Sequence, residues 1–446
     1  MKDSMTGRTW KWVMIVFLTI ILFKASARSE ETAEASAGTR HLAPLPFQLV
    51  LPREHLLGDW GGTRTWLEER GITPTLTFVT DSLGNPSGGQ DEGFTSANNI
   101  GLDLNFDLEK LWRVEGASLL FSMSYRFGGS LSANYIHNVF TVQQVFGGET
   151  FRVVNVSYLQ KLFDDRLELR IGRIAAGDDF LVSPYNYVFV QNGFDGNPVG
   201  IFFNSPGMTA YPNDTWGVRV TFRPTPRTYI MGGVYNGDPS IRSNDEHGVD
   251  LSLRGPAFAI GEVGYQANSL PGDTGLIGNY KAGFWYDNSR FTNFNTGESE
   301  RGNWGVYTLF DQVLVRFGEQ GSHRGFGIAG SFLVSPDESR SRMPYFLTAA
   351  LVTRGIFPSR PLDVAGLGVV SGYFSDDLRD SQQRAQLLDP RVGVQRRETA
   401  VELTYRFSFA KSALYVQPDL QYIIRPGGTG QISNALVLGA QVGVNF

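Results

Sequence analysis

The chain has no cysteine, which excludes a disulfide framework and any thiolate metal site. Five histidines in 446 residues are too few for much metal chemistry. No apolar run reaches the roughly 20 residues that a spanning helix needs, so a helical membrane bundle is excluded as well. Basic charge is not in excess: the formal net charge is -5, and an acidic balance is a poor match for nucleic acid. The sequence lacks a G-x-S-x-G elbow, a Walker loop and an H-E-x-x-H pair, so no motif announces catalysis. No cofactor or metal is expected. What it has instead is 52 glycines and 13% aromatic residues, the composition of a chain built from strands and turns.

The amino terminus supplies an address. Lys2, Arg8 and Lys11 precede an apolar run from Trp12 to Phe23, and Ala25-Ser26-Ala27 offers a small-residue cleavage site. Residues 1–27 therefore read as a secretory signal peptide. Residues 28–55 are rich in Ala, Ser and Glu and then punctuated by Pro44, Pro46 and Pro52, the composition of a flexible linker. A short helix is expected within 56–71: Asp59 or Thr63 can cap it, and Gly71 supplies the left-handed stop.

From Ile72 to Phe446 the pattern is strand after strand. Sixteen segments read as strands, beginning with 72–80 and 100–107 and ending with 414–424 and 436–446. Most are near the 9 to 11 residues that cross a membrane at a tilt, and their connections alternate long and short. The alternation within them is of period two. Leu436, Leu438, Ala440, Val442, Val444 and Phe446 form one apolar row, opposed by Val437, Gly439, Gln441, Gly443 and Asn445. Ile100, Leu102, Leu104 and Phe106 likewise oppose Gly101, Asp103, Asn105 and Asp107. Tyr125, Phe127, Phe407 and Phe409 cluster near strand ends, where a membrane interface favours aromatic rings. The expected fold is all-β, a transmembrane antiparallel barrel of about 16 strands over 72–446, with apolar rows toward lipid and charged rows toward the lumen. Asp311 and Gln312 interrupt the pattern at 305–315, where a bulge is expected.

Several pieces in this order resemble the carbohydrate-selective porins of the OprB type. They are Gly58-Asp59-Trp60-Gly61-Gly62, Gly172-Arg173, Gly177-Asp178-Asp179-Phe180, Asn192-Gly193, Trp216-Gly217-Val218-Arg219, Asp311-Gln312 and Gln417-Pro418-Asp419-Leu420-Gln421. The resemblance implies a sixteen-stranded barrel of the bacterial outer membrane that passes sugars by diffusion, with both termini in the periplasm. It also places the short helix at the periplasmic mouth.

A diffusion pore needs a constriction, and the longest connection, 174–215, is the natural source. It is too apolar for a solvated tether. Folded inward, it would bring Arg173, Asp178, Asp179, Tyr185, Asn186, Gln191, Asn192 and Asn197 to the throat. Rings beside amides and carboxylates suit a sugar, with its apolar C–H faces and its hydroxyls. The alternative is a lid packed on the outer rim. The rows read as inward carry Asp103, Asp107, Glu168, Glu262, Glu402 and Asp419 against Arg126, Arg170, Arg219, Lys281 and Arg406, with Gln417 and Gln421 beside them. That near-balance favours a neutral polar solute over an ion. The expected partners are outer-membrane lipid, small neutral solutes such as sugars, and the barrel assembly machinery through the strand ending in Phe446. A closed-lumen structural or adhesive barrel is the alternative function, and an outer-membrane barrel enzyme a more distant one.

Overall fold

The computed structural model describes residues 54–446 apart from 195–197, 271 and 319–321. The expected signal peptide and nearly all of the linker lie outside the described residues, as does Asn197.

Sixteen strands run in chain order: β1 (Ile72–Gly89), β2 (Gly93–Asp107), β3 (Ala117–Gly128), β4 (Thr150–Leu162), β5 (Leu167–Ile174), β6 (Thr215–Thr225), β7 (Thr228–Asn236) and β8 (Ala257–Ala267). Then come β9 (Gly278–Thr292), β10 (Ser299–Arg316), β11 (Gly325–Val334), β12 (Tyr345–Arg354), β13 (Val364–Tyr373), β14 (Arg397–Phe409), β15 (Leu414–Ile424) and β16 (Ser433–Asn445). Each pairs antiparallel with its neighbours in sequence, and β1 pairs with β16, so the sheet closes. Closure leaves no backbone edge facing lipid, where an unpaired N–H or C=O would cost several kcal/mol. Among the described residues no helix is long and apolar enough to span a membrane; strands do the crossing.

The period-two rows decide which side chain faces where. On β2, Asn99, Asp103 and Asn105 are buried while Leu102 and Leu104 are partly exposed; on β14, Glu402 and Thr404 are buried and Leu403 is exposed. Outward rows therefore carry the apolar residues, the reverse of a soluble sandwich. On β16, Val437 and Gln441 face in and Leu438 faces out, as the alternation requires. Asp311 keeps its inward place on β10, and the bulge falls after it, between Val313 and Val315.

Two strand pairs are longer than their sequence suggests. A long loop is expected between 80 and 100, but β1 continues to Gly89 and β2 starts at Gly93. The Gly84-Asn85-Pro86-Ser87-Gly88-Gly89 stretch reads as a turn, yet Asn85 organises it as a tall hairpin. Its amide donates to Gly88 O and Asp91 O, each at 2.8 Å, and its Oδ1 accepts from Gly93 N at 3.0 Å. The β9–β10 hairpin is extended in the same way.

The expected short helix is α1 (Thr63–Glu69), entered through a 3-10 turn at Trp60–Gly62. Asp59 Oδ1 accepts from Thr65 N at 2.8 Å and from its hydroxyl at 2.7 Å, and Gly71 has φ +87°. The helix packs at the β1–β16 seam. Arg64 Nη2 donates to Phe446 O at 2.7 Å, and Leu56 N donates to Asn445 O at 2.7 Å, so the segment ahead of β1 clasps the last residues of the chain. A second short helix, α2 (Leu108–Trp112), follows β2. The longer α3 (Asp376–Gln386) begins the β13–β14 connection, capped by Ser375 Oγ, which accepts from Leu378 N at 3.1 Å.

Candidate functional site

The 175–214 connection enters the barrel. Ile174, Phe180, Leu181, Phe189, Phe194, Ile201 and Met208 are buried in one apolar cluster with Ile260, Trp285, Leu309, Phe346 and Val370 of the wall. A lid on the rim would not reach those strands. Glycines make the room: a Cβ on Gly327 would lie 2.4 Å from Tyr185 Oη, and one on Gly368 would lie 2.6 Å from the Phe194 ring.

The loop is fastened by carboxylates on inward rows. Glu402 accepts from Val190 N at 2.7 Å and Gln191 N at 3.0 Å. Glu262 accepts from Leu181 N at 2.9 Å and from the hydroxyls of Tyr229 and Tyr307 at 2.6 and 3.0 Å. Asp287 accepts from Ser205 Oγ and Gly207 N, and Asp311 from Ser183 Oγ at 2.9 Å. Cations do the same for its carbonyls: Lys281 Nζ donates to Val182 O at 2.5 Å and Arg406 Nη2 to Tyr187 O at 3.0 Å. Gln417 donates to Val188 O at 2.7 Å. A turn in a lumen needs partners for its backbone groups, and these side chains supply them.

A second inward loop, 129–149, was not anticipated. Its Leu131, Ile136 and Val142 are buried with Leu83, Ala400, Ile423 and Val437. Gln143 donates to Asp81 O at 2.9 Å, and Glu398 Oε1 accepts from Phe140 N at 2.7 Å. Gln421 donates to Val142 O at 3.0 Å and to Asp419 at 2.8 Å. The two loops join each other: Gln144 N donates to Val190 O, Gln191 Nε2 to Phe140 O and Asn192 N to Thr141 O. Its apolar residues, Leu131, Ile136, Val139, Phe140 and Val142, are scattered among polar ones in the sequence, so the docking is visible only in the structure.

With rings packed against β7 to β13, the polar side of the lumen is the wall from β2 to β6. Asp103, Arg126, Arg152, Asn155, Arg170 and Arg219 lie buried there. Asp107 stands at the end of its row and caps α2, accepting from Glu109 N and Lys110 N at 3.0 and 3.2 Å. Arg219 pairs with Glu168 and, at 3.2 Å, with Asp179, which Arg170 also reaches at 3.3 Å. The guanidinium of Arg126 lies 5.3 Å from the Tyr211 ring centroid, and Arg152 bonds to Asn213 and to Ser243 O at 3.1 Å. Arg126 and Arg173 are both close enough to repel Arg152, while Asp214 and Asp250 attract Arg173. Sequence reasoning missed Arg152 because β4 carries a bulge. Val154 and Asn155 are both buried, and the register against β3 shifts there, so strict alternation fails along the strand.

The adjacent carboxyls Asp178 and Asp179 have opposite fates. Burial would raise Asp179, but Arg219 and Arg170 hold it below the usual carboxylate range. Asp178 lacks such a pair; burial and the nearby Asp214 push it well above that range. Asp214 is itself raised to about 7 by burial, although Asn155 donates to it at 2.8 Å. Oδ2 of Asp178, Oδ1 of Asp214 and Nδ2 of Asn105 are buried with no hydrogen-bond partner in the protein. Of the remaining loop residues, Asn186 is buried and Asn192 half-buried.

A closed sixteen-stranded barrel with a polar, loop-narrowed lumen can be compared with known proteins. A profile of the carbohydrate-selective porin, OprB family, matches residues 91–446. This chain belongs to the OprB family of carbohydrate-selective porins. Porin B of Pseudomonas aeruginosa is 28% identical over 427 residues, covering 88% of this chain and 91% of the relative. The putative porin QuiX of Acinetobacter baylyi is 26% identical, covering 88% and 93%. The high-pH structure of Pseudomonas putida OprB superposes with a TM-score of 0.81 at 28% identity, covering 89% of this chain and 99% of that one. This OprB-family porin resides in the bacterial outer membrane and passes sugars, and its surroundings are outer-membrane lipid.

Proposed function

We propose that solutes pass between the docked 175–214 loop and the β2–β6 wall, and that this throat selects small neutral sugars. The observation that carries the reading is the division of the lumen. One half is filled by aromatic rings and aliphatic side chains, and the other presents Arg126, Arg152, Arg170 and Arg219 opposite Asp178, Asp179 and Asp214. Buried polar atoms without protein partners require water or a solute hydroxyl, and a sugar offers both donors and acceptors. Arg173, Tyr185, Asn186, Gln191 and Asn192 support the throat by holding the loop's shape. Among the inward charges, Glu262, Glu402, Lys281 and Arg406 fasten loops, Asp107 caps α2 and Asp419 holds Gln421, while Asp103, Arg126, Glu168, Arg170 and Arg219 on β2 to β6 meet the solute.

The long connections face the exterior and the short turns face the periplasm, the usual arrangement of outer-membrane barrels. Residues 1–27 direct export, and α1 closes the periplasmic seam over Phe446. Before that docking, the apolar terminal strand and Phe446 are the signal read by the assembly machinery. The porin acts without covalent chemistry: Asp178 is pushed above and Asp179 held below the usual carboxylate range, as an acid/base pair would be, but Asp179 is committed to two arginines. Sugar-induced block of single-channel ion current tests the throat. Hexose should reduce the current saturably, and Arg152→Ala should weaken that block; block that is unchanged in the variant would place the sugar elsewhere.

A further inference from the structure

A cleft of about 360 Å³ opens on the outer face of the barrel, away from the lumen, where β12 to β15 meet the long connections. Arg379, Arg396, Arg397 and Arg425 line it, with Tyr345 and Tyr373. Tyr345, Tyr373 and Arg397 stand in one level row across three strands, because Tyr345 pairs with Tyr373 and Tyr373 with Arg397. Arg397 Nη1 donates to the Tyr373 hydroxyl at 3.2 Å, and its guanidinium lies 5.5 Å from that ring. Two acids share the cleft, and both are occupied: Asp376 pairs with Arg379 at 2.6 Å, and Glu338 Oε2 accepts from Asp376 N at 2.9 Å. Among the described residues no carboxylate pairs with Arg396 or Arg425, and both are exposed. A chain of net charge -5 thus gathers unneutralised arginines at one place on its wall.

Below the cleft the wall is apolar. Leu351, Leu367, Leu403, Leu420 and Leu438 are successive register partners and all face outward, forming a leucine shelf across five strands. The shelf lies six residues along β12 from Tyr345, roughly 20 Å along the strand. Tyrosines above an apolar band mark a membrane interface, and guanidinium forks match phosphate oxygens. A free anion would use the arginines alone; a lipid would use both levels.

We propose that this cleft binds the phosphorylated head group of an outer-leaflet glycolipid, with its acyl chains lying on the leucine shelf. The inference rests on the orientation proposed above, which puts this end of the barrel at the cell surface. The site needs nothing from the lumen and stands independently of which sugar passes.

The test uses the purified mature porin in detergent, titrated with bis-phosphorylated lipid A, with its dephosphorylated form and with inorganic phosphate, binding being followed by native mass spectrometry. The phosphorylated lipid should bind, and Arg396→Ala with Arg425→Ala should weaken it by about tenfold or more. Sugar-driven liposome swelling should be unchanged in that variant, showing an intact barrel. Equal binding by the variant, equal binding of the dephosphorylated lipid, or inorganic phosphate binding as tightly as the lipid would each overturn the proposal. The orientation has its own readout, because the native chain has no cysteine. An impermeant thiol reagent should label Leu388→Cys on intact cells, and failure to label would put the cleft in the wrong leaflet.

Discussion

If the throat is one wall of barrel and one wall of docked loop, cutting the loop's fastenings should widen it. Glu402 is the sharpest place to cut. Its two oxygens take the N–H groups of Val190 and Gln191 at 2.7 and 3.0 Å, and among the described residues no other group accepts from those amides. A hydrogen bond to a charged group contributes about 1.5 to 3 kcal/mol net, so Glu402→Ala should cost roughly 3 to 5 kcal/mol of loop docking. That shifts the docked-to-undocked ratio by about two to three and a half powers of ten. Glu262 fastens the same loop nine residues earlier through Leu181 N at 2.9 Å, and its removal should add to the effect. Glu402→Gln retains one acceptor and should fall between. The assay is planar-bilayer recording with liposome swelling on protein shown by heat-modifiable gel mobility to be a folded barrel. The double variant should show noisier, larger conductance and admit oligosaccharides that the wild type excludes. A folded double variant with unaltered conductance and size cut-off would refute the loop as the constricting wall.

Three further outcomes follow from named contacts. Gly368→Leu should displace Phe194 from the wall and raise conductance without unfolding the barrel, as measured by the same recordings; a silent Gly368→Leu would show that the ring does not pack there. Asp214, raised to about 7, should lose its charge as the pH falls through neutrality. The throat then becomes more positive and more anion-selective below pH 7, a change read from reversal potentials and absent in Asp214→Asn. The sign for stability is the same: a raised carboxyl favours the folded state at low pH, and that contribution is lost as pH rises through about 7. Arg64→Ala removes the 2.7 Å contact to Phe446 and should cost about 1.5 to 3 kcal/mol in docking of α1, seen as faster proteolysis ahead of β1.

The barrel was legible because its signal is local and repeated. Each strand states its own faces through alternate residues, and rows such as Leu102–Leu104 against Asp103–Asn105 cannot be read as a soluble core. Hairpin height was less legible: Asn85 binds three backbone groups, and that role is invisible in a stretch of turn-forming residues. The site was harder still. An inward Glu looks the same in sequence whether it faces water or a loop amide, so Glu262 and Glu402 read as lining when they are fasteners. Arg152 was hidden by a bulge, which resets parity without any marker residue. The inward turn of 129–149 depends on contacts with 190–192, more than forty residues away, and no local pattern encodes such a pairing.

Osmotic swelling of proteoliposomes carrying the mature chain tests the loop-built throat, with a monosaccharide, a trisaccharide and charged solutes of monosaccharide size. A selective throat gives fast swelling with the monosaccharide, slow swelling with the trisaccharide, and a slower rate for charged solutes than for the neutral sugar. Swelling that ignores both size and charge would mean that the docked loops do not form a selective throat. No swelling from a folded barrel would mean that they close it.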